Sequence, residues 1–473
     1  MRTDLSQSFR PVLESLEERS VPAAIQLIHN SPYEAAEAVD VFVEDVPVAE
    51  NFMFREASPF LDLTPFFGEG DTTDIEVVIT PAGDPTPVFE AELPITLGTN
   101  YVAIAIGDPA SDGSEGSNPT FTVELSGVGQ TEAEDGDKVD FYVFHGSPDA
   151  PPVDVVARDV AILVDDIAYT EFDPNGYLSV DPGTFTLDVT LAEDNDAVAA
   201  TFEADLSGLA GGAAVIVASG FLSPEPGEDN FGLLAVLPTG TAFLLPVVVE
   251  GTRFTDVFTV SVEEGETNTL AIGQTFGDTA EFTFDPNQPF IIEAGRGFDR
   301  LYYRASSSDL SVPDITFRGG SWRDTVTVLG TEDDDVITIA NGASGYVLEV
   351  NDSNLFVESV EALFAYGRGG SDVIDASDVA DLGVFLSGDD GNDTLIGGGR
   401  GDFIVGGDGA DSILGGAGAD QLFGQDGDDE LFGGRGNDLL SGGRGRDFLS
   451  GGRGFDFLLG GRGRDFLTGG FGF

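Results

Sequence analysis

The chain contains no cysteine, two histidines, one tryptophan, two methionines and 20 basic residues in 473 positions. Without cysteine there can be no disulfide framework, thiolate zinc site or thiol nucleophile. His29 and His145 are too few for a His-rich metal centre or a repeated imidazole active site. The basic residues face 85 Asp and Glu, for a formal net charge of −65. A nucleic-acid binder needs a basic face, so nucleic acid is excluded as a partner. No apolar run reaches the ~18 residues of a helical membrane span. The longest, from Ala213 to Ala218 and on to Phe221 and Leu222, reads as a buried strand, and no transmembrane span is expected.

What is present points to cores rather than disorder. A hydrophobic fraction of 41% is too high for an acidic disordered chain. The 64 Gly and 24 Pro, without long helical periodicity, predict an all-β, turn-dense protein. The length suits about three domains. A carboxylate surplus of this size repels itself, and divalent cations are its natural neutraliser.

Residues 1–22 hold Leu13 and Leu16 between charges, a short amphipathic segment without the apolar core of an ordinary secretory signal. The stretch FRPVLESLEERSVPA resembles the N-terminal segment of exported planctomycete proteins, which implies an export leader. Two copies of one unit follow. His29-Asn30-Ser31-Pro32 recurs as His145-Gly146-Ser147-Pro148, Val39-Asp40 as Val153-Asp154, and FEAEL from Phe89 as FEADL from Phe202. Alternating stretches broken by Pro, Gly and Asp predict two tandem β-sandwich domains, 23–130 and 137–250, joined by the acidic linker Thr131 to Asp137. The copies resemble a bacterial extracellular sandwich family known only as a domain of unknown function, with a His-x-Ser-Pro and Val-Asp signature. That resemblance implies a fold and an extracellular setting, and no activity.

Residues 251–387 carry isolated nonapeptide fragments: GRGFDRLYY, GGSWRDTVT, GTEDDDVIT and GRGGSDVID, separated by inserts such as YVLEV and NLFVESV. They read as an irregular β-solenoid with long coils. From Gly388 the register is strict. Asp393, Asp402, Asp411, Asp420, Asp429, Asp438, Asp447, Asp456 and Asp465 fall every nine residues, each followed two positions later by Leu or Ile. Gly stands five residues before each Asp, and two before in all repeats but the one with Arg400. This pattern resembles the repeats-in-toxin β-roll, a parallel roll in which two nonapeptides make one coil. The resemblance implies two ladders, one of Asp393, Asp411, Asp429, Asp447 and Asp465, the other of Asp402, Asp420, Asp438 and Asp456. It also implies several Ca²⁺ ions held between stacked turns by carboxylate and carbonyl oxygens, with Asp372 of the GRGGSDVID fragment as a further ligand. Read from residues alone, solvated Asp at plain solenoid corners is the alternative. Residues 388–430 hold eleven acids and one Arg, whereas 431–473 hold four acids and six Arg, so the later turns are expected to bind less tightly.

Phe403, Phe423, Phe432, Phe448, Phe457, Leu459 and Phe466 are expected to form one contiguous outward stripe, a contact surface for another part of the chain or for a second copy. Termination in mid-turn at GGFGF offers a second route to self-association. No GxSxG elbow, HExxH or P-loop occurs. His29 and His145 each lie beside a Ser and near an Asp (Asp40, Asp154), but the turn context and the duplication favour a structural role over a triad. The expected whole is a non-enzymatic, secreted or cell-surface calcium-binding protein, structural or adhesive, whose partner is a cell-surface protein or polysaccharide. The rival is a secreted hydrolase or toxin that uses the roll for export and folding.

Overall fold

A computed structural model describes residues 23–470 apart from 34–35, 68–70, 112–116, 193, 224–229, 262–268, 275–279, 284–288, 306–313 and 352. The expected export leader, residues 1–22, and residues 471–473 lie outside the described residues. The fold is all-β: two sandwiches followed by a solenoid of parallel strands.

The two copies share one topology. In the first, strand Ala24–His29 pairs in parallel with Asn100–Ile106. In the second, Val139–His145 pairs in parallel with Ala213–Ser219. Each copy closes this sheet against an antiparallel one, built on Ala38–Val43 and Thr72–Pro81 in copy one and on Val153–Ala157 and Thr184–Leu191 in copy two. The parallel strands are apolar almost without alternation, and Val139–His145 and Ala213–Ser219 are buried at every position. A strand reads this way when both its faces are covered. One face meets the copy's own second sheet. The other meets the sister copy, where Ile28, Val102, Ile104 and Ile106 pack against Phe144, Val215, Val217, Leu234 and Val236. Polar bonds cross the same seam. Asn30 Nδ2 donates to the Gly146 carbonyl at 3.3 Å, and Gln26 Nε2 donates to the Leu237 carbonyl at 2.6 Å. The copies therefore form a four-layered head.

The head runs into the solenoid without a break in the sheet. Phe202 of the second sandwich pairs with Val247, and strand Val247–Glu250 pairs in parallel with Phe290–Glu293. Arg318 braces the junction, donating to Glu203, Glu293 and Glu358. One sheet continues through Val373–Asp375, Thr394–Ile396, Ser412–Ala417, Glu430–Arg435 and Phe448–Arg453 to Phe466–Thr468. The facing sheet continues through Ala362–Gly369, Val384–Asp390, Phe403–Asp408, Gln421–Asp426 and Leu439–Gly445 to Phe457–Gly463. The inserts YVLEV and NLFVESV contribute to strands. Val336–Asn341, Gly345–Val350 and Ser353–Glu358 form an antiparallel meander spliced into the first sheet, while the second passes it directly from Thr325–Leu329 to Ala362–Gly369.

A single apolar core fills the solenoid from Phe258 to Leu449. The eighth residue of the first seven strict nonapeptides points inward: Leu395, Ile404, Ile413, Leu422, Leu431, Leu440 and Leu449 have no exposed surface, while Leu458 is half-buried and Leu467 of the last coil is exposed. The register of eighteen is regular, with Leu395 opposite Ile413 and Ile404 opposite Leu422.

The aromatic residues do not form one stripe. Successive nonapeptides alternate between sheets, so Phe403, Phe423 and Phe457 lie on one outer face and Phe432, Phe448 and Phe466 on the opposite one. Along each face the rings contact from coil to coil. Phe385 stacks on Phe403 with centroids 5.3 Å apart, and Phe448 stacks on Phe466 at 5.4 Å.

Candidate metal centre

The turns that join the two sheets are made by glycine. At the fourth position of the strict repeats φ lies between +133° and +156°, for example +140° at Gly409 and +156° at Gly427, values closed to most side chains. The turn lays the following Asp under the coil, where it is buried: Asp393, Asp411, Asp420, Asp429, Asp438 and Asp447 expose 2% or less.

The two carboxylate oxygens then have different roles. Oδ1 accepts the backbone N–H of the aspartate one coil earlier. Asp393 N–H donates to Asp411 Oδ1 at 2.9 Å, and Asp411 to Asp429 at 3.0 Å. On the other side Asp402 donates to Asp420 at 2.9 Å and Asp420 to Asp438 at 3.0 Å. The ladder continues to Asp456 and Asp465, reaching 3.3 Å between Asp447 and Asp465. Upstream, Asp335 donates to Asp372 and Asp372 to Asp393, both at 2.8 Å. The sequence-expected ligands thus fall into two ladders of the anticipated membership.

Oδ2 has no hydrogen-bond partner in Asp372, Asp393, Asp411, Asp420, Asp429, Asp438, Asp447 or Asp456, although it is buried. An orphaned anionic oxygen is costly to leave buried. Its surroundings are oxygen-lined. A methyl at Gly406 would fall 2.2 Å from Asp411 Oδ2 and 2.9 Å from the Gly424 carbonyl oxygen of the next coil. The same cradle recurs at Gly388, Gly397, Gly415, Gly424 and Gly433. Among the described residues no three His, Cys, Asp or Glu side chains gather as a metal cluster. The ladder offers one carboxylate per turn and leaves the remaining ligands to carbonyls, a donor set that fits a hard cation taking six to eight oxygens.

Burial raises these carboxyls. Asp372, Asp420 and Asp429 are pushed up to about 7 and Asp411 to about 6, by desolvation first and by neighbouring ladder carboxylates after it. Asp393, Asp402, Asp438 and Asp447 rise for the same leading reason.

Two observations go beyond the spacing. Asp299 and Asp324 form a further run, accepting the N–H of Asp256 and Asp299 at 2.7 and 2.8 Å, have orphaned Oδ2 atoms, and are raised to about 6 by burial. Their fragments, GRGFD and GGSWRD, carry the motif, but 25 residues separate them in place of eighteen. Asp402 departs the other way. Its Oδ2 accepts Gly398 N–H at 2.7 Å, in the turn where Arg400 replaces glycine, and its Oδ1 accepts Val384 N–H at 2.9 Å. Asp256 and Asp335 are satisfied likewise by Thr252 and Thr331 of their own turns. All three begin a run of stacked aspartates.

The His-Ser-Asp groups of the head are engaged with backbone. His29 Nε2 donates to the Ala36 carbonyl at 2.6 Å and Nδ1 accepts Ser31 N–H at 3.4 Å, which fixes the Nε2–H tautomer. Ser31 Oγ donates to the Gly107 carbonyl at 2.5 Å. In copy two His145 Nε2 faces the Pro151 carbonyl at 3.1 Å, and Ser147 N–H meets Nδ1 at 3.3 Å. Asp40 caps the amides of Asn51 and Gly83, and Asp154 caps that of Asp166.

Comparison with known families matches two segments. The RTX calcium-binding nonapeptide repeat model (4 copies) matches residues 387–422, 405–440, 414–449, 423–458 and 441–473. A domain of unknown function, DUF4397, matches residues 139–230. The whole chain finds no match among curated proteins. The C-terminal coils are therefore similar to calcium-binding RTX repeats, and the second sandwich copy is similar to a domain without an assigned activity. Among the described residues no helix is long and apolar enough to cross a membrane.

Proposed function

We propose that the chain is a secreted or cell-surface structural or adhesive protein, without catalytic activity, whose solenoid folds on Ca²⁺ after export. The observation that carries this reading is the row of buried, unpartnered Asp Oδ2 atoms facing carbonyl oxygens across the coils. Aspartates Asp372, Asp393, Asp411, Asp420, Asp429, Asp438, Asp447, Asp456 and Asp465 would hold the ions, joined by Asp299 and Asp324 upstream. Asp402 contributes through its position in the second ladder. Calcium supplies the positive charge that turns carboxylate repulsion into coordination, so its binding free energy becomes folding free energy. Calcium is scarce inside cells and abundant outside, which places folding after export. The sandwich head is then the presented part.

Fractionation of the producing cells tests this. The intact chain is expected in the medium or on the cell surface, and recovery solely from the cytosol contradicts it. The hydrolase alternative predicts that His29→Ala and His145→Ala remove a measured hydrolytic activity from a folded chain. Here both substitutions are expected to weaken the loop each histidine holds, at a cost of about 1–3 kcal/mol.

A further inference from the structure

One part of the solenoid surface differs in chemistry from everything around it. On the turn edge above the upstream ladder, three aromatic side chains face solvent in three successive coils: Phe254 (77% exposed), Phe298 (50%) and Trp322 (64%). Trp322 is the sole tryptophan of the chain. Its backbone sits at φ +106°, beside the +104° of Gly370 at the equivalent place in a later turn. Position four is where the strict repeats place glycine because the turn demands it. A bulky side chain there is disfavoured by sterics, and nothing in packing compensates, since the ring is held out of the core. Among the described residues its one ring contact is edge-to-face with Phe298, centroids 5.5 Å apart. A strained backbone that displays an aromatic face is a feature of binding sites.

The same edge is basic in a chain of net charge −65. Arg253, Arg296 and Arg323 are exposed, each within one or two residues of one of the three rings. None of them belongs to an ion pair among the described residues. Glu361, exposed on the following coil, is occupied by Asp324 N–H at 2.8 Å. The coils repeat at about 4.8 Å, so the three coils bring three rings and three guanidinium groups onto an edge about 10 Å long.

We propose that this edge binds an acidic polysaccharide, the aromatic faces stacking on sugar rings and the arginines pairing with carboxylate or sulfate groups. The proposal supplies a ligand for the adhesive role above and rests on that extracellular reading. Charge and shape select a chain over a membrane. Bringing an anionic bilayer to this edge also brings it against the acidic surface on either side. A single polymer strand touches the basic line alone, with the remaining charge screened beyond the ~8 Å Debye length of physiological salt. The planar guanidinium suits bidentate pairing with carboxylate or sulfate.

The lone tryptophan makes the test direct. Purified full-length protein in calcium is titrated with chondroitin sulfate and hyaluronate, with neutral dextran and phosphatidylserine vesicles as comparisons, following Trp322 fluorescence. A saturable blue shift with the acidic glycans, absent with dextran, is expected, together with a loss of affinity of roughly tenfold or more in R296S/R323S. Trp322→Gly restores the residue the turn prefers, so it keeps the fold, and it is expected to abolish retention on immobilised glycan. No response to either acidic glycan, an unchanged affinity in both variants, or a response to vesicles alone overturns the proposal. Because purified protein is used, this result is independent of where the cell places the chain.

Discussion

Stripped of calcium at pH 7.5, the coils from Gly388 to Gly470 are expected to unfold, and to regain their sheets when the metal-free protein is brought to pH 4.5. The folded-state carboxyls are raised, to about 7 at Asp372, Asp420 and Asp429 and about 6 at Asp411, from an ordinary value near 3.9. A group raised in the folded state contributes stability that is complete below its unfolded value and is lost as pH rises through its folded value. Protonation and calcium thus cancel the same buried charge, and either one permits stacking. The head has the opposite sign. Burial lowers His29 to about 4, so its contribution is present above about 6.5 and is lost as pH falls toward 4. Hydrogen exchange in EDTA across this range, corrected for intrinsic rates, is expected to show the coils gaining protection toward acid while strand Ala24–His29 loses it. Coils that stay equally protected in EDTA at pH 7.5 would refute the charge argument.

Gly409→Ala is expected to be among the most damaging single-methyl additions in the chain. The new carbon would fall 1.4 Å from the Gly391 carbonyl oxygen at a φ of +140°. Neither coil can yield without breaking the Asp393–Asp411 hydrogen bond beside it. A cost above about 4 kcal/mol follows, from overpacking and backbone strain acting together. Position two is more tolerant. Gln425 and Asp389 stand there at +77° and +69°, in the left-handed region that side chains occasionally occupy. The matched control is Gly136→Ala, whose added carbon meets nothing within 4 Å and which is expected to change stability by less than about 0.5 kcal/mol. Thermal unfolding in saturating calcium compares the two. A Gly409→Ala midpoint within error of the control would show that the coils are not stacked as described.

The strict repeats were legible because their physics is local. A nine-residue period with one inward Leu or Ile defines a coil of two strands, and the ladders through Asp411 and Asp420 follow by counting eighteen. The upstream ladder was hidden because Asp256, Asp299 and Asp324 are separated by 43 and 25 residues. Insertions preserve the stack while erasing the period. Asp402 carries the motif residue, yet its environment depends on Arg400 and on a preceding coil with Val384 in the aspartate's place, neither of which the period of the strict repeats reveals. In the head, the apolar run from Ala213 to Ala218 signalled a buried strand but could not name the surface that covers its second face. That surface is the sister copy, through Phe144 and Ile28. The aromatic positions misled for a geometric reason, since equal places in consecutive repeats lie on opposite faces.

Calcium held at the orphaned Asp oxygens is expected to fold the solenoid. Calcium titration of the EDTA-stripped full-length protein, followed by hydrogen exchange with magnesium as the control ion, tests it most directly. A cooperative gain of protection specific to calcium is predicted across the coils. Strands Ser412–Ala417 and Gln421–Asp426 should respond at lower concentration than Phe448–Arg453 and Phe457–Gly463, where arginine replaces acid at the turns. Protection that is complete before calcium is added, or that magnesium restores equally well, would contradict the account.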